Sequence, residues 1–182
     1  ELPPYRKPQI GRILIRSLLD RTLFVLARAV AVAAPAGLII WLMANTNIRD
    51  MSILDWSAKI LEPIGGLMGM DGYILLAFIL GLPANEIVIP IIVMSYMASG
   101  SLTEMESLES LRELLLANGW TWVTAACTML FSLNHFPCGT TLFTIYKETQ
   151  SIRWTVTSFL IPTITGMFLC IFFRLLVSLF GV

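Results

Sequence analysis

The carboxylate Glu86 is the feature that most constrains how this chain folds, because it lies inside an apolar stretch from about Gly72 to Ala98. A charged side chain at bilayer depth costs about 2.5–3.5 kcal/mol on insertion scales, so it is rare there without a partner, a cation or a water-filled cavity. Glu86 closely follows Pro83, which breaks the helix. The motif Gly81–Glu86 is therefore predicted to interrupt a membrane segment.

A second apolar stretch, from about Trp120 to Tyr146, is interrupted in the same manner at Asn134–Gly139, where the sequence reads Asn-His-Phe-Pro-Cys-Gly. Two interrupted hydrophobic segments are the best sequence indication of a transporter's binding site, because the freed backbone groups must face a cavity instead of lipid. We therefore predict that the chain is part of a membrane transporter.

The composition supports a protein embedded in a membrane. Of 182 residues, 57% are hydrophobic and 13% charged, against roughly half and a quarter in soluble domains. A net charge of zero and the absence of long charged runs argue against nucleic acid as a partner. The three cysteines form no CxxC pair, so a disulfide framework is not expected.

The predicted fold is all-α, a single polytopic membrane domain over residues 1–182 with Pro-broken or re-entrant helices. A loop with a short helix around Asp55–Leu67 is predicted between the first two membrane segments. The other predicted parts are an amphipathic interfacial helix in residues 1–21, membrane segments at 22–44, 72–98, 120–149 and 154–182, and a polar connector at 99–119. Each leg of the segment 72–98 is too short to span alone, so a broken helix and a re-entrant hairpin both remain open.

Basic residues are concentrated before the first span and are sparse after it, which predicts a cytoplasmic amino end. The residues concerned are Arg6, Lys7, Arg12, Arg16 and Arg21. The chain starts with Glu1 and shows no signal-peptide pattern, so we expect it to come from a longer polypeptide.

The two breaks bring together side chains that bind cations. Asn85 and Glu86 offer oxygen atoms at the first break, and Asn134, His135 and Cys138 offer an amide, an imidazole and a thiol at the second. Mixed oxygen, nitrogen and sulfur donors suit a borderline divalent ion such as Fe²⁺ better than Mg²⁺ or Ca²⁺. We predict an ion path along these five residues, with Glu86 and Cys138 converging on one cavity. The predicted helix breaks are Pro83, Pro137, Gly81 and Gly139.

Structural roles stay open for each of these residues. Glu86 can instead pair with Arg28 or Arg174. The thiol of Cys138 can be a buried packing group, as free cysteines usually are. The imidazole of His135 can hydrogen-bond a freed carbonyl, and the two asparagines can cap the interrupted helices.

The motifs together resemble one family. The start Glu1–Arg6, the run Gly81–Pro90, and the run Phe136–Thr141 followed by Lys147–Thr149 are similar, in this order, to the carboxy-terminal membrane half of the ferrous iron transport protein B (FeoB) family. The resemblance implies the second of two gate units, Fe²⁺ uptake across a bacterial inner membrane, and a position for Cys138 on the ion path.

The resemblance also implies partners and cofactors. The partners would be a GTP-binding domain and a first gate unit of the same polypeptide, together with the lipid bilayer, and a homo-oligomer stays open. Fe²⁺ would be the transported ion, with no stably bound cofactor, and GTP with Mg²⁺ would belong to the GTP-binding domain. None of Lys7, Lys59 and Lys147 follows a glycine, so residues 1–182 contain no phosphate-binding Gly-Lys-Ser/Thr loop and are not expected to be an enzyme.

Two other functions remain as alternatives. A related gate-type transporter of nucleosides or other organic solutes would favour Asn, Glu and aromatic contacts over a thiol. A membrane anchor for a cytosolic partner is weaker, because an anchor needs no polar groups at bilayer depth. A catalytic site is not expected, since the lone His135 has no nucleophile constellation around it.

Overall fold

The computed structural model of the chain describes Gly11 and residues 23–48, 51–98 and 107–179. The interfacial helix predicted in residues 1–21, and with it the basic residues that indicate a cytoplasmic amino end, lies outside this part except for Gly11. The same holds for residues 99–106 of the polar connector.

The described residues confirm the all-α fold class. They form eight α-helices, a 3₁₀ turn at Asn85–Ile87, and a short antiparallel pair of strands, β1 (Asn47–Ile48) and β2 (Met51–Ser52). The helices are α1 (Phe24–Asn45), α2 (Ile53–Met68), α3 (Gly72–Leu80), α4 (Val88–Met97), α5 (Leu108–Ala117), α6 (Trp122–Asn134), α7 (Gly139–Thr149) and α8 (Ile152–Leu179).

Four of these helices begin at a side chain that accepts a hydrogen bond from the first turn. Asp71 accepts from the backbone N–H of Ile74 at 2.7 Å at the start of α3. Ser52, Ser107 and Thr121 act in the same way before α2, α5 and α6. These caps satisfy donors that the helix itself leaves unpaired, so they fix where each helix starts.

The region predicted as a loop with a short helix around Asp55–Leu67 contains helix α2, which agrees with that helix in extent and ends at Gly69 in a left-handed conformation. Helix α2 has 16 residues and buries Leu54, Ala58 and Met68 against the neighbouring helices, so it belongs to the core. The chain then turns by 106° into α3.

The corner between α2 and α3 is closed by a tight backbone approach. The N–H of Gly72 donates to Glu62 Oε2 at 2.7 Å. A Cβ on Gly72 would lie 2.0 Å from the carbonyl oxygen of Ala58, closer than any side-chain carbon can approach. Only glycine therefore fits at this position.

The first interrupted segment is a helical hairpin. Tyr73 at the start of α3 and Tyr96 near the end of α4 pack edge to face with their ring centroids 5.8 Å apart. The hydroxyl of Tyr96 also donates to the carboxylate of Asp71, just before α3. Since the start of α3 lies beside the end of α4, the two legs run antiparallel, and the segment does not continue past its break as one broken helix.

The second interrupted segment continues in one direction past its break. Helices α6 and α7 run antiparallel to α8, as three contacts along its length show. Trp122 meets Phe173 at 6.1 Å between ring centroids, and Phe136 stacks on Phe159 at 4.9 Å. Between these pairs, the thiol of Cys170 donates to the carbonyl oxygen of Cys127 at 3.3 Å.

Among the described residues, helix α8 is long and apolar enough to cross a membrane, and up to three spans result if each bent helix pair counts as one. Its 28 residues correspond to about 42 Å, more than the roughly 30 Å of a hydrocarbon core. The bent pairs are α2 with α3 and α5 with residues 122–149. Helix α1 agrees in extent with the predicted segment 22–44, and its part Ala34–Asn45 is apolar.

Replacing Gly72 by Ala should lower the thermal stability of the protein in detergent, because the new Cβ would collide with the backbone of α2. Overpacking of this kind costs about 1–3 kcal/mol, or more when the neighbour is backbone. Gly66→Ala is the matched control, since a Cβ there meets nothing within 4 Å and alanine favours a helix interior. Equal Tm values for the two variants would contradict the packing described for this corner.

Candidate functional site

The tip of the α3–α4 hairpin reverses within a few residues. A Cβ on Gly81 would lie 2.5 Å from Cγ2 of Val88, so glycine allows the two legs to approach each other. The N–H of Ala84 donates to the carbonyl oxygen of Gly81 at 3.0 Å, which closes the turn that contains Pro83. Asn85 and Glu86 follow directly and are both exposed in the described structure.

The hairpin tip contacts the break between α6 and α7. The N–H of Gly139, the first residue of α7, donates to the carbonyl oxygen of Leu82 at 2.6 Å. Pro83 interrupts the first segment and Pro137 interrupts the second. The bond pairs the free carbonyl oxygen of Leu82 at the first break with the free N–H of Gly139 at the second. Backbone groups at bilayer depth need such partners, because lipid supplies none.

This contact lies about halfway along the spanning helix. Asn134, the last residue of α6, packs on Gly166, where a Cβ would stand 3.0 Å from the asparagine carbonyl oxygen. Gly166 is near the middle of α8. The break between α6 and α7, and the hairpin tip that touches it, are therefore equally far from both ends of the longest apolar helix.

A cavity of about 170 Å³ lies beside the meeting point of the two breaks. Asn85 from the hairpin and His135 from the second break share its wall, together with Phe78 of α3. Helix α6 adds the side chains of Thr128, Met129 and Ser132. The cavity thus combines an amide, two hydroxyls, a thioether and an imidazole, all of them uncharged when His135 is neutral.

The imidazole of His135 presents an unpaired nitrogen. Its Nδ1 donates to the carbonyl oxygen of Ser132 at 2.7 Å, which leaves a lone pair on Nε2. Nε2 is buried and has no hydrogen-bond partner in the described structure. The rings of Phe78 and Phe136 lie 5.2 and 5.3 Å from the imidazole and restrict its orientation. A neutral imidazole with one nitrogen held and the other free is the form that binds metal ions.

The structure does not bring Glu86 and Cys138 into this cavity. Glu86 is exposed, and no hydrogen bond or ion pair reaches its carboxylate from the part of the chain that the structure describes. Arg174 lies elsewhere, beside Gly69, so it does not pair with Glu86. The side chain of Arg28 is outside the described part.

Cys138 and Asn134 have local partners at the second break. The sulfur of Cys138, half-buried at the start of α7, lies 3.1 Å from the hydroxyl oxygens of both Thr140 and Thr141. The amide of Asn134 donates to the carbonyl oxygen of Leu130 at 3.0 Å, within its own helix. Among residues 23–48, 51–98 and 107–179, no three His, Cys, Asp or Glu side chains lie close enough to hold a metal ion.

The side chains that α6 contributes to the cavity were not among the predicted site residues. Thr128, Ser132 and His135 follow one another at four and three residues, which places them on one face of a helix. This spacing is a signal that would have found them. Met129 carries no such signal, because a methionine in an apolar helix is most often a packing residue.

Comparison with known proteins gives one family and a group of similar relatives. Residues 26–152 match the family described as "Gate: Nucleoside recognition". The Fe(2+) transporter FeoB of Synechocystis sp. is 26% identical over 178 residues, covering 96% of this chain and 28% of the transporter. The Fe(2+) transporter FeoB of Leptospira biflexa is 27% identical over 186 residues, covering 92% of this chain and 26% of that protein. No solved structure matches the chain.

The Fe(2+) transporter FeoB of Methanocaldococcus jannaschii is 26% identical over 162 residues, and this alignment covers 81% of the present chain and 23% of the transporter. The chain therefore spans about a quarter of the length of these curated relatives.

Gly139→Pro should loosen the hairpin tip, because it removes the N–H that Leu82 accepts while proline remains compatible with the first position of a helix. Amide hydrogen exchange across residues 82–88 should become faster in this variant. Gly139→Ala is the control, since it keeps the N–H and its Cβ would make an ordinary 3.5 Å contact with the Leu82 oxygen. Unchanged exchange in Gly139→Pro would show that the bond does not hold the tip.

Proposed function

The chain belongs to the family described as "Gate: Nucleoside recognition", and from this membership together with its similarity to Fe(2+) transporters we propose that it forms a membrane-embedded gate of a ferrous iron uptake system. The resemblance to FeoB proteins that the sequence indicated is confirmed over most of the chain. Because the chain spans about a quarter of those relatives, transport itself is proposed for a larger polypeptide that contains it.

The observation that carries the proposal is the cavity where the helical hairpin meets the broken crossing helix. It brings Asn85 and His135, on separate segments, into one wall, and His135 offers a buried lone pair with no partner. An unpaired buried acceptor is unfavourable unless something donates to it or binds it. A passing cation with part of its water shell would satisfy it.

The donor set fits Fe²⁺ better than the harder divalent ions. Imidazole and thioether groups suit borderline and softer metals, whereas Mg²⁺ and Ca²⁺ prefer oxygen ligands alone. The absence of a carboxylate or thiol from the cavity wall makes binding weak, and a transport site must release its ion as readily as it captures it. The cavity is therefore proposed as a transit site and not as a storage site.

Glu86 and Cys138 are proposed to flank this transit site. The exposed carboxylate of Glu86 lies next to Asn85 in the chain and can attract a cation to the tip. The thiol of Cys138 follows His135 by three residues at the start of α7. Asn134 is proposed to hold the end of α6 and to contribute weakly to the path.

The family description itself favours a second candidate, a gate for nucleosides or related organic solutes. The aromatic ring of Phe78 and the amide of Asn85 suit such a ligand. However, a cavity of about 170 Å³ is smaller than the roughly 300–1,000 Å³ of sites for drug-sized ligands. The size of the cavity therefore favours a hydrated ion.

Further proposals follow from the resemblance and from the basic residues near the amino end. Residues 1–182 act as a single gate domain of the bacterial inner membrane, and the basic residues before the first span place its amino end in the cytoplasm. They have no enzymatic activity. Regulation by GTP, with Mg²⁺, comes from another part of the polypeptide, which supplies the GTP-binding domain and a first gate unit.

Fe²⁺ uptake by the full-length parent under reducing conditions tests the transit site. His135→Leu and Asn85→Leu should each lower uptake by about tenfold or more, because each removes a polar group from the cavity wall. Thr144→Val is the control, since Thr144 is exposed on α7 and does not line the cavity. Uptake is normalised to the amount of protein in the membrane.

The remaining outcomes separate the alternatives. Wild-type uptake in both leucine variants would overturn the transit site, and a loss confined to Cys138→Ser or Glu86→Gln would move the path to those residues. Competition of Fe²⁺ uptake by unlabelled nucleosides, or uptake of a labelled nucleoside that His135→Leu abolishes, would favour the organic-solute gate.

A further inference from the structure

A larger cavity, of about 300 Å³, lies at the other end of the hairpin, where α2, α6 and α8 meet. Its lining includes three glycines, Gly66, Gly69 and Gly119, which have no side chains to fill the space. Its charged groups are the carboxylate of Asp71 and the guanidinium of Arg174. The proposed iron path does not use this cavity, and no sequence motif predicted it.

The carboxylate of Asp71 is held in a fixed orientation. One oxygen accepts from the N–H of Ile74 at 2.7 Å, and the other accepts from the hydroxyl of Tyr96. That hydroxyl in turn accepts from Nε1 of Trp120 at 2.8 Å, and the tryptophan also lines the cavity. Each carboxylate oxygen can accept further hydrogen bonds, so the group remains available to a ligand.

The guanidinium of Arg174 is available as well. Its side chain is exposed and lies over Gly69, with Cδ 3.5 Å from the position that a Cβ on the glycine would occupy. Within the described part of the chain no hydrogen bond or ion pair engages it. Two opposite charges thus line one cavity without pairing with each other, which suits a ligand that carries both signs.

The cavity lies toward one end of α8, away from the middle of the helix. Arg174 is about 12 Å along the axis of α8 from its middle near Gly166, so in a bilayer centred on this helix the long arginine side chain can reach the hydrocarbon boundary at about 15 Å. Trp120 and Trp122 lie at the same level, and tryptophan is enriched at the membrane surface. Phe172 and Leu175, on either side of the arginine, are exposed and can pack against acyl chains.

We propose that this cavity binds the headgroup of a phospholipid with a primary ammonium, that is, phosphatidylethanolamine. Arg174 binds the phosphate oxygens, and Asp71 accepts a hydrogen bond from the ammonium group. Phosphatidylethanolamine forms a charge-assisted hydrogen bond with each of the two side chains, so it binds more tightly than a lipid that matches only one side chain. Gly66, Gly69 and Gly119 leave the room that the headgroup needs.

The full-length parent, purified in detergent and delipidated, is titrated with phosphatidylethanolamine, phosphatidylglycerol, phosphatidylcholine or inorganic phosphate, and bound lipid is counted by native mass spectrometry. Phosphatidylethanolamine should bind most tightly, and Arg174→Gln should weaken it by about tenfold or more. The control is Arg153→Gln, an exposed arginine at the start of the same helix that does not line the cavity.

A second variant fills the cavity without disturbing the backbone. Gly66→Leu should also abolish the preference, since a Cβ at residue 66 meets nothing within 4 Å and the longer side chain would occupy the headgroup space.

Equal binding by Arg174→Gln and Arg153→Gln would overturn the proposal, and so would an unchanged preference in Gly66→Leu. Phosphatidylglycerol binding as tightly as phosphatidylethanolamine would show that Asp71 recognises no ammonium group and would also overturn it. Inorganic phosphate that displaces the lipid at equal concentration would point to a free anion as the ligand. None of these outcomes bears on iron uptake, so this proposal fails or stands separately from the proposed function.

Discussion

The hydrogen bond from the N–H of Gly139 to the carbonyl oxygen of Leu82 is the interaction on which the rest of this structure depends. A proline interrupts each of the two segments, and each interruption frees backbone groups that lipid cannot satisfy. The hydrogen bond between the two breaks satisfies one free backbone group at each of them. It also fixes the hairpin tip against α6 and α7, and so places Asn85 opposite His135.

The two interrupted segments look alike in sequence but serve different purposes. The first returns, with Tyr73 beside Tyr96, whereas the second continues along α8 from the contact of Trp122 with Phe173 to that of Phe136 with Phe159. The hairpin tip and the break of the second segment meet at one place, and paired interruptions of this kind are found at the binding sites of transporters.

Polar groups occur at two levels of an otherwise apolar structure. The wall of Asn85 and His135 lies near the middle of α8, where a weak uncharged site suits a transient cation. The cavity of Asp71 and Arg174 lies near one end, where opposite charges suit a lipid headgroup. The hydrogen bonds that Tyr96 and Trp120 donate connect the base of the hairpin to this second level, so one hairpin reaches both cavities.

Sequence alone determined the membrane class, the all-α fold and the two breaks, because apolar content, helix-length segments and proline act locally. It also identified Asn85 and His135 as site candidates. Only the tertiary structure decided that residues 72–97 return while 122–149 continue, because both patterns show the same spacing of apolar residues. It alone left Glu86 and Cys138 outside the cavity and brought in Thr128 and Ser132. Those positions depend on the direction in which helices pack after a break, and no local property of the chain encodes that direction.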